Sequence, residues 1–310
     1  MAETREGTVC AVFGREAAVF TAKAQQRCPI RRNTGQVVCG DRVRLEQTAA
    51  GQWVIAAVLP RRNTLSRTLP HGARKILAAN IDRILITVDG TALPAPQADP
   101  DSVAMACSQL LDSYLTAAAL ANIPATILIN KMDLIPDGQD TTLATVLAGY
   151  TAAGYTIGYV SARTHRGTTD LVARLAGQRG IFVGQSGAGK SSLIQAVTAI
   201  PDIRIGTLGD QGHGRHTTTT TTLYQLPNGA EIIDSPGIRE FGLWHVPVTD
   251  LRHGYPEFAP LAQRCRFHDC LHDQEPGCAV RDAVDNGRLN RQRWLSYRCL
   301  VEQLRAPRRR

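Results

Sequence analysis

Residues 184–192 read GQSGAGKSS, the pattern G-x-x-x-x-G-K-[ST] with one more serine behind it. No other stretch restricts the fold as much. An apolar run, GIFVG (180–184), leads into it, and the sequence from Lys190 onward can open a helix. A glycine-rich turn between strand and helix suits phosphate. Gly184, Gly187 and Gly189 let the backbone turn tightly, so that its N–H groups surround phosphate oxygens. Lys190 would neutralise the β- and γ-phosphates, and Ser191 would give its hydroxyl to Mg2+. The helix N-terminus adds a favourable dipole. Gln185, Ser186, Ala188 and Ser192 complete the loop. The expectation is an α/β domain with a nucleoside-triphosphate site.

A second motif reads the base. NKMD (130–133) ends the apolar run ATILIN. Asp133 can accept hydrogen bonds from guanine N1–H and the exocyclic amine, a pair that adenine does not offer in that arrangement. Adenine would leave the carboxylate unpaired, which is costly. Asn130 would bind the base edge and tie neighbouring loops together. The Lys131 stem would lie along the base plane, and Met132 completes the motif. Ser161 and Ala162, at the end of YTIGYVS, read as the loop whose backbone N–H meets guanine O6. DSPG (234–237) follows the apolar EII. There Asp234 would hold Mg2+ through water and Gly237 would give its N–H to the γ-phosphate. In most small GTPases the phosphate loop comes first. Here NKMD and Ser161-Ala162 precede it, so the chain reads as a circular permutation, which a parallel sheet tolerates.

Residues 7–58 contain five short strand-like runs, TVCAVF, EAAVFTA, QVVC, DRVRLE and QWVIAAVL, bounded by turn signals. They suggest an OB-like β-barrel. RRNTLSR (61–67) then reads as a basic connector. From about residue 75 strands alternate with helices, the period of a doubly wound α/β domain. The expected strands are 81–89, 125–130, 155–161 and 180–184; the expected helices are 101–122, 141–150 and 167–178. Residues 221–237 read as a hairpin turning at Asn228-Gly229. Beyond about 242 the chain becomes loop-rich before a final helix near 287–305. The fold class is therefore multidomain: a barrel over 1–68, a permuted P-loop domain over 69–242, and a C-terminal module over 243–310.

Charge adds a partner class. The net charge is +8, with +6 in residues 1–70, −4 in 71–280 and +6 in 281–310. Basic ends around a near-neutral middle suit an anionic partner, nucleic acid above all. No apolar run approaches the ~18 residues of a membrane span. The opening MAETREGTVC lacks the pattern of a secretory signal, so a cytoplasmic protein is expected, with no membrane partner.

Together NKMD, SA, GQSGAGKSSL, GRHTTT, DSPGIREFGL and CRFHDCLHDQEPGCAV resemble the ribosome small-subunit-dependent GTPase A family of bacteria, over nearly the whole chain. The resemblance implies a monomeric GTPase that binds the small ribosomal subunit and its rRNA late in maturation. It hydrolyses GTP to GDP and phosphate under stimulation by the subunit, and then leaves.

The C-terminal cysteines suit a metal. Cys265, Cys270 and Cys278 lie close in sequence, with His268 and His272 both available as a fourth ligand. Three thiolates and one imidazole make a closed, structural zinc site. The resemblance selects His272. Such a site would hold together a segment too small for its own core. Cys10, Cys28, Cys39, Cys107 and Cys299 stand apart and are expected as small core residues. RLNRQRW (288–294) and the arginine-rich tail are expected on RNA phosphates.

Catalysis needs a water-orienting group. Ras-like enzymes carry glutamine directly after D-x-x-G; here Ile238 stands there and cannot serve. The resemblance assigns that role to His216 in switch I. It also assigns a Mg2+-binding threonine to the run behind it, with Thr217, Thr218 and Thr219 open and Thr218 the working choice. Thr220–Thr222 are expected to begin a strand. Two rival classes are an RNA scaffold that holds GTP without turnover, favoured by Ile238, and a transport ATPase, disfavoured by NKMD.

Overall fold

The computed structural model describes residues 3–68, 73–93, 103–136, 140–198, 204–205, 220–235 and 246–305. Five antiparallel strands form the N-terminal barrel: β1 (Thr4–Phe13), β2 (Glu16–Phe20), β3 (Gln25–Pro29), β4 (Arg42–Gln47) and β5 (Trp53–Val58). They pair in the order β3-β2-β1-β4-β5, and a bridge between Ile30 and Ile55 closes the ring. Val9, Val19, Cys28, Val43, Leu45 and Ile55 fill it.

Two sequence expectations change here. The third strand is the polar Gln25–Pro29, not QVVC (36–39). Val37 and Val38 are buried, but from a loop, where the Asp41 carboxylate accepts from the Val38 amide at 2.8 Å. Arg61 fixes that carboxylate from the other side at 2.7 Å. A short apolar run is the same signal whether it fills a core from a strand or from a loop. RRNTLSR is not a plain connector either. It leads into β6 (Thr64–Thr68), which pairs with β7 (Arg74–Ala79) in a hairpin spanning the expected 68/69 boundary.

The central domain runs β8 (Arg83–Asp89), α1 (Val103–Leu120), β9 (Ala125–Asn130), α2 (Asp140–Ala152), β10 (Thr156–Tyr159), α3 (Thr168–Arg174), β11 (Arg179–Val183), α4 (Lys190–Thr198), β12 (Arg204–Ile205), β13 (Thr222–Gln225) and β14 (Glu231–Asp234). Strands β10, β9, β8, β11 and β14 are parallel neighbours in that order. Every residue of β11 is buried, as expected of a strand covered on both faces. β13 and β14 form the expected hairpin, with Asn228 and Gly229 in its turn. The last threonine of the run, Thr222, begins β13 and lies opposite Ala11 of β1, so the barrel and the central sheet share one hydrogen-bonded sheet.

A second join lies beside the first, where Gly40 pairs with Val9 of β1. Arg179 is 7% exposed and donates from Nη1 to the Gly40 carbonyl at 2.6 Å, while its Nε reaches Glu231 at 2.7 Å. Asn80 also donates to Gly40, at 3.0 Å.

After the central domain come two 3-10 turns (Val248–Gly254 and Pro256–Phe258), α5 (Ala259–Ala262), α6 (Ala279–Asp285) and α7 (Arg291–Arg305). Only α7 is long enough to leave a clear helical period, which is why the rest reads as loop. Tyr255, Phe258 and Tyr297 pack together with ring centroids 5.0–5.1 Å apart. α7 lies along α1 of the central domain. Arg293, expected on RNA, is instead buried between them, paired with Asp112 of α1 and with Glu257 at 2.7 Å. Arg288 and Arg291 of the same stretch remain exposed.

Candidate functional site

The nucleotide motifs leave the C-terminal ends of adjacent parallel strands. NKMD follows β9, Ser161-Ala162 follows β10, the phosphate loop follows β11 and Asp234 ends β14. Parallel strands deliver their C-terminal loops to one side of the sheet, the usual ligand side of such folds. The permutation alters chain order but not this convergence.

The phosphate loop is tight because two glycines let it be. Gly184 has φ +140° and an added Cβ would run into the Thr87 carbonyl of β8; Gly189 has φ +83° and a Cβ would run into the Asn130 amide. The loop therefore lies directly against the ends of β8 and β9. Lys190 folds over it, donating to the Gly184 and Gln185 carbonyls at 2.6 and 2.5 Å. Ser191 and Ser192 are exposed in the first turn of α4.

Asn130 is buried and ties three loops together. Its Nδ2 donates to the Ala188 carbonyl at 2.9 Å, and its Oδ1 accepts from the Ala162 amide at 3.3 Å. Lys131 adopts a left-handed conformation, φ +65°, and its Nζ meets Asp89 Oδ2 at 2.6 Å. Asp133 accepts from Ser161 Oγ at 2.5 Å and from Arg163 Nε at 2.6 Å. These two hydrogen bonds, Ser161 first, hold the Asp133 carboxyl below its usual range. A cavity of about 620 Å3 opens between these loops, lined in part by Asn130, Lys131, Asp133, Ala162, Gly189 and Ser192. Ligand sites of about 300–1,000 Å3 are typical. Asp234 is half-buried; burial pushes its carboxyl up, and the nearby Lys190 opposes this. A desolvated carboxylate beside a phosphate loop suits a cation.

Asp89 and Arg163 escaped the sequence reading. Each is an ordinary charged residue beside a motif, and only the folded chain pairs it with a motif residue. His216, Thr217, Thr218, Thr219, Gly237 and Ile238 lie outside the described residues, as does residues 306–310 of the basic tail.

In the C-terminal module the ligand atoms of Cys265, Cys270, His272 and Cys278 lie within 4.8 Å of one another. His272 Nδ1 faces Cys265 and Cys278 at 3.6 and 3.5 Å, whereas His268 is exposed. Burial drives the imidazole pKa down to about 4, with Arg252 adding to the effect, so the ring is neutral at pH 7. Burial also raises the Cys270 and Cys278 thiols. A neutral imidazole and three clustered cysteine sulfurs within reach of one point fit one bound metal ion. Of the isolated cysteines, Cys10, Cys28 and Cys39 are buried and Cys299 is half-buried; the Cys107 side chain lies outside the description.

Among the described residues no helix is long and apolar enough to cross a membrane. The RsgA GTPase family profile matches residues 58–244. The small ribosomal subunit biogenesis GTPase RsgA of Azotobacter vinelandii is 43% identical over 309 residues, covering 98% of this chain and 87% of that protein. Its namesake in Pseudomonas fluorescens is 42% identical over 304 residues, covering 96% and 85%. The crystal structure of YjeQ from Thermotoga maritima superposes with a TM-score of 0.77 at 27% identity, over 99% of this chain and all of that one. YloQ, a circularly permuted GTPase, shares the fold with a TM-score of 0.72 at 22% identity, over 99% and 98%. The chain belongs to the RsgA GTPase family, and it is a GTP hydrolase of circularly permuted fold.

Proposed function

We propose that this protein binds the small ribosomal subunit through its rRNA, late in the subunit's maturation, and hydrolyses GTP there under stimulation by the subunit. The observation that carries the reading is the convergence of NKMD, Ala162 and the phosphate loop around one cavity, with Asp234 at the end of β14 near Lys190. The relatives' names supply the ribosomal partner. The working division is a barrel (1–68), a GTPase domain (69–242) and a zinc-binding module (243–310), acting as a cytoplasmic monomer.

Within the site, Asp133 reads guanine, Asn130 holds the surrounding loops, and the Lys131 stem flanks the base. The backbone of 184–189 cradles phosphate, and Lys190 neutralises it. Mg2+ would be held by Ser191, by Asp234 through water and by Thr218, and would supply charge neutralisation on the β- and γ-phosphates. Gly237 would donate to the γ-phosphate. His216 orients the attacking water in place of the side chain that Ile238 lacks.

The test is GTP turnover with and without purified small subunits. Stimulation of at least tenfold is expected, and His216→Ala should abolish most of it while leaving GTP binding intact. A subunit-independent trace of turnover would favour the scaffold that holds GTP without using it.

Zinc is the metal proposed for Cys265, Cys270, His272 and Cys278, in a structural role. His272 is fully buried, with its ring centroid 5.9 Å from that of Phe258 in the module's aromatic cluster. Its removal should therefore loosen the module's core and not only a surface loop. Metal analysis should give one zinc per chain. Stripping it with a chelator should lower Tm by about 5 °C or more, and Cys270→Ser should do the same without chelator. A chain that purifies without metal and melts unchanged after chelation would overturn the assignment.

A further inference from the structure

Asp133 is held by two donors from the loop after β10, and the second has no place in the recognised motifs. Ser161 Oγ accepts from the Thr164 amide at 3.2 Å and donates to Asp133 Oδ1 at 2.5 Å. Its single proton is thus committed to the carboxylate. Arg163 donates from Nε to Asp133 Oδ2 at 2.6 Å. The two side chains differ sharply in exposure, 73% for Arg163 and 8% for Asp133. The backbone between them is fixed as well. The Ser161 amide donates to the Arg166 carbonyl at 2.9 Å, and Ala162 donates to Asn130 Oδ1. Arg163 is presented by a braced turn and belongs to the lining of the cavity.

An ionised carboxylate offers about four lone-pair positions. Ser161 and Arg163 take one on each oxygen and leave one on each for the base. We propose that Arg163 is a positioning residue for guanine selectivity: together with Ser161 it clamps both oxygens of Asp133, so that the carboxylate presents a fixed, charged edge to the two adjacent N–H donors of the base. This rests on the reading of the cavity as a guanine site.

Two-point recognition depends on orientation in a way that one-point recognition does not. Guanine donates from N1 and from the exocyclic amine; hypoxanthine lacks the amine and donates from N1 alone. A carboxylate free to rotate can still meet one donor, but it meets two in one plane only part of the time. Loss of the Arg163 clamp therefore acts on the guanine nucleotide more than on the hypoxanthine nucleotide. Because Arg163 is a largely exposed partner, the effect is that of a modest ion pair, about fivefold.

The experiment measures equilibrium binding of GDP, IDP and ADP to the full chain with Mg2+. For Arg163→Ala we expect the Kd for GDP to rise about fivefold while that for IDP stays within about twofold, so the preference for GDP over IDP narrows. Arg163→Lys, which keeps the charge, should recover part of the preference. In an Asp133→Asn background, Arg163→Ala should change nothing further. Equal weakening of GDP and IDP would make Arg163 a general wall of the cavity and overturn the proposal. Tighter GDP binding would overturn it too, since Arg163 would then compete with the base. If the unsubstituted protein binds ADP as well as GDP, the guanine-site reading itself fails, whatever Arg163 does.

Discussion

Lys190→Ala is expected to lower subunit-stimulated GTP turnover by roughly 10²–10³-fold, the usual loss when one preorganised charge or donor is removed from a phosphoryl-transfer site. The argument is geometric. Lys190 is the first residue of α4, and its ammonium is held against the Gly184 and Gln185 carbonyls, over the loop that would surround the phosphates. The charge is therefore placed by backbone groups, with little freedom to be lost on binding. Alanine removes both the charge and the group that organises the loop. Lys190→Arg should recover little, because a planar guanidinium is larger than the point charge the loop accommodates. Single-turnover hydrolysis at saturating GTP separates chemistry from affinity. A loss of less than about tenfold would show that Lys190 is not the principal phosphate cation.

The second large effect lies far from the nucleotide. Arg293→Ala should destabilise the chain by about 3–5 kcal/mol, the range for a buried ion pair broken on one side. Arg293 is 2% exposed and Asp112 is fully buried. The guanidinium also lies over the rings of Tyr255, Tyr150 and Tyr155, at 4.5, 5.0 and 5.6 Å. Alanine would leave Asp112 and Glu257 without a cation in a desolvated space. Burial already pushes the Asp112 carboxyl up, and Arg293 is the main group acting against it. Denaturant unfolding followed by tryptophan fluorescence reads the change. Arg293→Met combined with Asp112→Asn should recover part of the loss, since it removes the more deeply buried of the two stranded charges and leaves only Glu257 unpaired. If Arg293→Ala costs under about 1 kcal/mol, α7 is not anchored to α1 through this network.

The motif residues were legible because their chemistry is local. Gly184 and Gly189 sit where no Cβ fits, Asn130 and Asp133 sit at a strand end, and spacing alone implies both. The sheet was legible for a related reason: β8, β9 and β11 are buried on both faces and read as unbroken apolar runs. What could not be read depends on pairing across long sequence separations. Arg293 belongs to an arginine-rich stretch that suits RNA, and nothing in its neighbours reveals Asp112, 181 residues away. QVVC misled for the opposite reason, since burial without strand geometry leaves the same apolar signature. The fourth metal ligand needed either the family resemblance or the folded chain, because His268 and His272 are equally plausible by spacing, and only His272 turns inward.

The pairing of Ala11 with Thr222 bears on which strand edges the fold leaves open. Residues 217–226, TTTTTTLYQL, combine β-branched and apolar side chains with no charge, proline or glycine. A stretch of that kind with an open backbone edge is a template for strand addition between molecules. Here β14 covers one edge of β13, β12 covers Tyr224 and Gln225 on the other, and the barrel strand β1 covers Thr222. The N-terminal barrel thus covers the start of an uncharged, β-branched strand of its neighbour. Cutting the barrel away would expose that edge, and the shortened chain should self-associate even if its nucleotide loops remain intact.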